Sequence, residues 1–246
     1  MVTKTFNFEF ALNQNSASNV GAVIVAAGTA TRMAGVNKIL APIMGKPLIW
    51  HTILAFEQNP KVGQIIIVTR DDMVPDLQNI VTKGEFSKVT DIVCGADNRQ
   101  ASVKCGADLL FKDKGIKTIL VHDGARPLVS NDVIDRVISA AEEFKATVPA
   151  VPVKDTIKKV GALGKVEQTL NRENLVNIQT PQGFSAEVLL KAFDSAGDDL
   201  SAFTDDASMV ENSGASVYTV MGDYKNIKIT TPEDLILAEA YLKIKE

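Results

Sequence analysis

The segment VGAVIVAAGTATRMAGVNK, residues 20–38, begins as an unbroken apolar run over 20–26 and then passes into a loop of small residues. A β-branched run of this kind predicts a strand buried on both faces, as the strands of parallel sheets are. The loop behind it sits where open α/β sheets bind ligands, at the carboxyl end of a leading parallel strand. Its small side chains let backbone N–H groups turn toward a phosphate. Arg32 and Lys38 add positive charge beside those amides. The loop is not a Walker A motif, because GxxxxGK followed by Ser or Thr is absent. Nor is it a GxGxxG fingerprint, because Gly28 is followed by Thr29, Ala30 and Thr31. The bland alternative is a tight turn with surface cations.

Outward from this strand the pattern alternates. Apolar residues at helical spacing over 47–56 (Leu48, Ile49, Ile53, Leu54) predict a helix, with Pro47 suited to its first turn. Strands are expected at 64–68, 88–93, 118–121 and 146–151, and helices at 73–81, 99–111 and 132–144. This rhythm argues for a doubly wound, parallel α/β sheet with right-handed crossovers. It breaks over 152–182, where Thr, Ile and Val favour strands and Gly161-Ala162-Leu163-Gly164 reads as a hairpin turn. A hairpin with so little apolar surface cannot stand alone, and a partner subunit is a candidate support. Beyond it come a helix at 186–193, a short helix capped by Thr204, strands at 216–220 and 226–230, and a final helix. In that last helix Thr231 can cap, Pro232 takes the first position, and Glu233 and Asp234 complement the dipole. The expected organisation is an N-terminal extension over 1–19, read as an extra strand or a loose tail, and one domain over 20–246.

Composition narrows the function classes. The chain has 246 residues, 46% of them hydrophobic, and a net charge of −4. No basic stripe stands out, so nucleic acid is not an expected partner. The apolar runs are far shorter than the ~20 residues of a membrane helix, and the first residues lack the pattern of a signal peptide. Cys94 and Cys105 form no CxxC pair, and such cysteine usage fits a reducing cytoplasm.

A second cluster of chemistry is VHDGARP, residues 121–127. Asp123 falls just past a predicted strand end, where a carboxylate can hold Mg²⁺ or a hydroxyl and Arg126 can clamp a phosphate. An Asp–Arg pair bracing a turn is the structural alternative. His122 and His51 stay outside the mechanism, since a lone histidine at a strand end or in a helix is more often structural. Lys228 in NIKIT reads as the solvent side of an edge strand, Arg172 as an exposed arginine, and TDDAS (204–208) as a helix start rather than a metal site.

Taken together, AAGTATRM with its following lysine, GKPLIWHTI, HDGARP, PVKDTIK, QTPQGF, TDDAS and NIKITTPEDL resemble the 2-C-methyl-D-erythritol 4-phosphate cytidylyltransferases (IspD) of the non-mevalonate isoprenoid pathway. The resemblance spans 20–241. It implies a Rossmann-like sheet, with a protruding β-arm that completes the neighbouring subunit's site in a homodimer. It implies transfer of CMP from CTP to the polyol phosphate with Mg²⁺. By the same resemblance Ala26, Ala27 and Gly28 wrap the nucleotide, and Arg32, Lys38 and Lys228 act on the reacting phosphates. Asp97 and Ser102 face cytosine and ribose. Asp123 and Arg126 stand where nucleotide and acceptor meet, and Thr156 and Arg172 reach the acceptor phosphate of the other subunit. A sister enzyme acting on ribitol 5-phosphate and a non-catalytic nucleotide-binding relative are the competing readings. Two positions depart from the family pattern: Ala30 stands where a second glycine is common, and Asn37 where a proline is common. Before DNRQAS, Ala96 also stands where the family often has glycine.

Overall fold

The computed structural model describes residues 5–7, 18–28, 38–197 and 199–244. In chain order its elements are β1 (Thr5–Asn7), β2 (Val20–Val25), β3 (Pro42–Ile43), β4 (Lys46–Pro47), α1 (Leu48–Glu57), β5 (Val62–Thr69), α2 (Val74–Gly84), β6 (Val89–Cys94), α3 (Arg99–Leu110), β7 (Thr118–Asp123), α4 (Asn131–Phe144), β8 (Ala146–Pro152), β9 (Lys158–Val160), β10 (Val166–Thr169), β11 (Val176–Ile178), β12 (Gln182–Ser185), α5 (Ala186–Ala196), α6 (Asp206–Asn212), β13 (Tyr218–Met221) and α7 (Pro232–Lys243).

The apolar run at 20–25 becomes the centre of a nine-stranded sheet. β2 lies between β5 and β7 and runs parallel to both. Strands β1, β11 and β12 run against their neighbours, and the rest share one direction. Alternate side chains of β2 feed opposite faces, as a period of two requires. Ala22 and Ile24 join a core with α1, α2 and α4, while Val23 joins a second core with α3, α5 and α6. Both faces are therefore covered by helices, the usual condition of a parallel sheet.

From β2 the chain steps outward through β5 and β6, then returns to β7 on the other side. The switch point thus lies between β2 and β7, where a crevice opens at the strand ends. Gly106 lets α3 lie close against this part of the sheet. A Cβ there would stand 2.7 Å from Val23 Cγ1 and 2.8 Å from Val68 Cγ2. That close approach aims the first residue of α3, Arg99, toward the ends of β2 and β7.

Several expectations shift. Pro47 caps α1 from outside instead of occupying its first turn. The first N–H groups of that turn instead bond the preceding loop, Leu48 N to Ala41 O at 2.8 Å and Ile49 N to Ile39 O at 3.0 Å. The short helix α6 is capped by Asp205, not Thr204, through Ser208 N to Asp205 Oδ1 at 2.9 Å. Residues 226–230 form no strand: Ile229 N bonds the Ala125 carbonyl of a loop at 2.8 Å, so no strand ladder is available to it. The 152–182 stretch divides. β9 and β10 form a separate, exposed ribbon, whereas β11 returns to pair with β8. Residues 5–7 of the N-terminal segment add an edge strand to β6. Among the described residues no helix is long and apolar enough to cross a membrane.

Candidate active site

The site grows from one register pair. β2 and β7 run side by side so that Val25 is opposite Asp123, which puts the carboxylate beside the start of the Ala26–Gly28 loop. Asp123 Oδ1 meets Arg99 Nε at 3.2 Å, and Oδ2 meets Lys228 Nζ at 2.9 Å and Arg126 Nε at 3.6 Å. Burial alone would push this carboxyl upward. The charges of Arg99, Lys228 and Arg126, in that order, outweigh burial and hold it below the ordinary carboxylate range. Asp123 is therefore ionised at any working pH and serves as an anchor for cations, not as an acid or base.

Arg99 also donates from Nη1 to Asp206 Oδ2 at 2.7 Å. Burial opposes its charge, but the two carboxylates, Asp206 ahead of Asp123, more than offset this and keep it firmly protonated. Burial pushes the Asp206 carboxyl above its ordinary value, and the charge of Arg99 pulls against this, so two acidic groups face three cations and positive charge is in surplus beside the crevice.

The tail of the chain brings in Lys228. Asn226, fully buried, donates from Nδ2 to Thr180 O at 2.8 Å, and its carbonyl accepts from Arg126 Nη1 at 2.7 Å. Ile229 packs into a third core with Ile43, Leu48 and Leu128. These two anchors flank Lys228 and turn it inward. Lys38 Nζ then donates to Ile229 O at 3.3 Å, which joins the front of the chain to its tail.

A cleft of about 580 Å³ opens over this arrangement, lined by Ala26, Ala27, Gly28, Lys38, Asp97, Ser102, Asp123 and Lys228 among others. Its volume is that of a small-molecule site. Ala26 spends its N–H on Val68 O at 2.7 Å, so that amide belongs to the sheet. Ser102 is buried, accepts from Ala96 N at 3.0 Å and donates to Ala96 O at 3.2 Å. It braces the loop that carries Asp97.

Comparison with known proteins joins this geometry to a family. Residues 20–244 match the family described as 2-C-methyl-D-erythritol 4-phosphate cytidylyltransferase, IspD. The chain belongs to the IspD family. A 2-C-methyl-D-erythritol 4-phosphate cytidylyltransferase of Dehalococcoides mccartyi is 45% identical over 224 residues, covering 91% of this chain and 96% of that one. One from Bacillus mycoides is 44% identical over 225 residues, covering 91% and 98%. The crystal structure of 4-diphosphocytidyl-2C-methyl-D-erythritol synthase from Anaerococcus prevotii superposes with a TM-score of 0.81 at 30% identity, covering 92% of this chain and 97% of that one.

Within this IspD chain the expected site residues separate into groups. Lys38, Lys228, Asp123, Asp97, Ser102 and the Ala26–Gly28 loop share the cleft. The reading of Lys228 as the solvent side of an edge strand is overturned, because its ammonium meets Asp123 across the crevice. Arg126 stands behind Asp123, with its side chain 12% exposed. Thr156 and Arg172 are exposed in the 152–182 stretch, where Arg172 Nη1 donates to Lys154 O, two residues before Thr156. Arg32, Ala30 and Asn37 lie outside the described residues. Arg99 and Asp206 are the additions. A clue to Arg99 was present in the sequence, since a cation in the first helical turn opposes the helix dipole and calls for a carboxylate partner.

His122 is structural. Its Nε2 lies 3.1 Å from Arg126 O and its Nδ1 lies 3.0 Å from Thr180 Oγ1, while Asp123 N donates to the same hydroxyl at 3.1 Å. The assignment satisfying all three groups is a neutral ring with the proton on Nε2, which accepts from Thr180 at Nδ1. Burial pushes its pKa down from 6.5 to about 4. Between those values the unfolded chain binds a proton that the folded one does not, so stability falls as pH falls from 6.5 toward about 4. The full loss is about 3 kcal/mol. Urea unfolding across this range is expected to show that slope in the parent chain. It should be missing from His122→Gln, and equal slopes would refute the assignment.

Proposed function

We propose that this chain transfers CMP from CTP to 2-C-methyl-D-erythritol 4-phosphate and releases pyrophosphate. The observation that carries this reading is the convergence of Lys38 and Lys228 on one cleft beside the Ala26–Gly28 loop. An oxygen of the acceptor phosphate forms a bond to the α-phosphorus of CTP while the bond from that phosphorus to the pyrophosphate oxygen breaks. The attacking oxygen needs no general base, because a phosphomonoester with a second pKa of about 6 is already largely ionised. The obstacle is the approach of two anions, and a preorganised set of cations lowers it. We assign that role to Lys38 and Lys228 and, by resemblance to the family alone, to Arg32. Asp123 keeps Lys228 poised instead of free to wander. Asp97 and the Ser102-braced loop face the nucleoside end of the cleft.

A divalent ion fits this site only as a shared guest. Both Asp123 oxygens already meet cations, and among the described residues no group of three metal-ligating side chains forms a cage. Mg²⁺ suits such a site, since it binds through one or two carboxylates plus substrate phosphates. Asp123 would hold it together with the triphosphate. When bound, the ion supplies charge neutralisation on the phosphate oxygens.

The acceptor phosphate is assigned to Arg126 and, from a second copy of the chain, to Thr156 and Arg172. Supporting this, the β9–β10 ribbon carries the exposed apolar residues Val160, Leu163 and Val166, which a lone chain leaves without cover. The reading therefore includes a homodimer through this arm as a proposal. Arg172→Ala and Thr156→Ala are expected to raise the Michaelis constant for the acceptor by ~10-fold or more while leaving that for CTP nearly unchanged. Steady-state kinetics with each substrate varied in turn checks this. The proposed setting is the cytoplasm, to which cysteine usage without a CxxC pair is suited. The function itself is tested by pyrophosphate release from CTP with 2-C-methyl-D-erythritol 4-phosphate and, separately, ribitol 5-phosphate. Faster turnover of ribitol 5-phosphate would reassign the acceptor, and release with neither would defeat the reading.

A further inference from the structure

TDDAS reads from sequence as a helix start, and Asp205 does cap α6. Asp206 takes no part in that cap. Its side chain is fully buried, Oδ2 meets Arg99, and Oδ1 has no hydrogen-bond partner among the described residues. Arg99 therefore bridges two carboxylates from different elements, presenting Nη1 to Asp206 and Nε to Asp123.

We propose that Asp206 is a positioning residue for the transfer reaction, acting through Arg99 to keep Asp123 Oδ2 available to Lys228. This inference rests on the function proposed above. A guanidinium favours a two-pronged contact with one carboxylate. Without Asp206, Arg99 would close on both oxygens of Asp123. Lys228, whose side chain is 41% exposed, is the partner most easily displaced. With Asp206 present the second prong is committed. It cannot be withdrawn cheaply, because a buried carboxylate with a single partner would be left stranded.

The residues on either side of Asp206 are held by one side chain. Gln182 at the start of β12 accepts from Ala207 N at 3.0 Å and donates to Asp205 Oδ2 at 2.7 Å. β12 pairs with β7, which ends at Asp123, and Gln182 is opposite Val121 in that pairing. The chain of contacts is closed: β7 to β12, Gln182 to α6, Asp206 to Arg99, and Arg99 back to Asp123. Each member is fixed by the next, so the orientation of Arg99 is built into the fold.

The test is Asp206→Asn, which keeps the shape and removes the charge. Turnover is expected to fall ~10–100-fold, with the Michaelis constant for CTP changed by less than about threefold. In a crystal structure of this variant Arg99 should contact both Asp123 oxygens, with Lys228 Nζ drawn away. Normal turnover with Arg99 still bridging would overturn the proposal. Should the variant fold poorly, Arg99→Met combined with Asp206→Leu removes both charges and should restore the thermal midpoint. With no guanidinium left to claim Asp123 Oδ2, turnover of the double variant should lie within about threefold of the parent, and a fall of ~10-fold or more would mean that Asp206 does not act through Arg99. If the parent chain releases no pyrophosphate, the proposed function fails by itself. The position of Arg99 in the variant crystals still judges the role of Asp206.

Discussion

Lys38→Ala and Lys228→Ala are each expected to lower turnover by ~10²–10³, with the Michaelis constant for the acceptor changed far less. The argument is electrostatic. During transfer, negative charge grows on the leaving pyrophosphate while a second anion closes on the α-phosphorus. Lysine ammonium groups already fixed in the cleft answer that charge with no reorganisation at the moment of reaction. Lys38 is fixed by its bond to the Ile229 carbonyl and Lys228 by its contact with Asp123. One tail segment therefore carries Lys228 and, through the next carbonyl, anchors Lys38.

A structural role for Lys38 would look different. Losing the bond to Ile229 would then lower the thermal midpoint and leave turnover intact. Lys38→Arg separates the possibilities further, since a guanidinium keeps the charge but carries a planar fork where a compact ammonium stood. Partial recovery in that variant, measured by pyrophosphate release at saturating CTP, supports charge stabilisation. A near-normal rate for either alanine variant defeats the assignment.

How far the sequence foretold this site depends on the range of the interactions. The central strand was legible because an unbroken, β-branched apolar run that ends in a small-residue loop is a local signal. The loop at its end was legible because small residues beside Arg32 and Lys38 are an unusual local combination. Lys228 was not legible from its own neighbourhood. It looks like any lysine between two isoleucines, and only Asn226 and Ile229, anchored to distant elements, turn it inward. Its place came from resemblance alone. Asp206 failed for a related reason. An acidic residue in a first helical turn already has a sufficient local explanation in the dipole, which hides a partner 107 positions away. The strand expected over 226–230 failed because alternating isoleucines signal burial of alternate residues, not the presence of a ladder to join. Its segment is buried at Asn226 and Ile229 yet bonds to loops.

Asp123→Asn is expected to destabilise the chain by ~3–5 kcal/mol, a drop in thermal midpoint on the order of 10 °C for a domain of this size. The carboxylate is the common partner of Arg99, Arg126 and Lys228, so neutralising it leaves three like charges crowded together. The pH dependence carries a definite sign. A carboxyl held below its ordinary value contributes stability that is present above the unfolded pKa of 3.8 and is lost as pH falls through the lower folded value. The gap between parent and variant should therefore stay flat from about pH 8 to about pH 5 and close only in stronger acid. Anions supply the second readout. Uncompensated cations attract polyanions, so inorganic pyrophosphate should raise the midpoint of Asp123→Asn more than that of the parent. Turnover should nevertheless fall, because Lys228 has lost the partner that aims it. Thermal melts with and without pyrophosphate, beside turnover measurements, check both halves. A variant as stable as the parent in pyrophosphate-free buffer would show that the three cations are held apart by something other than Asp123.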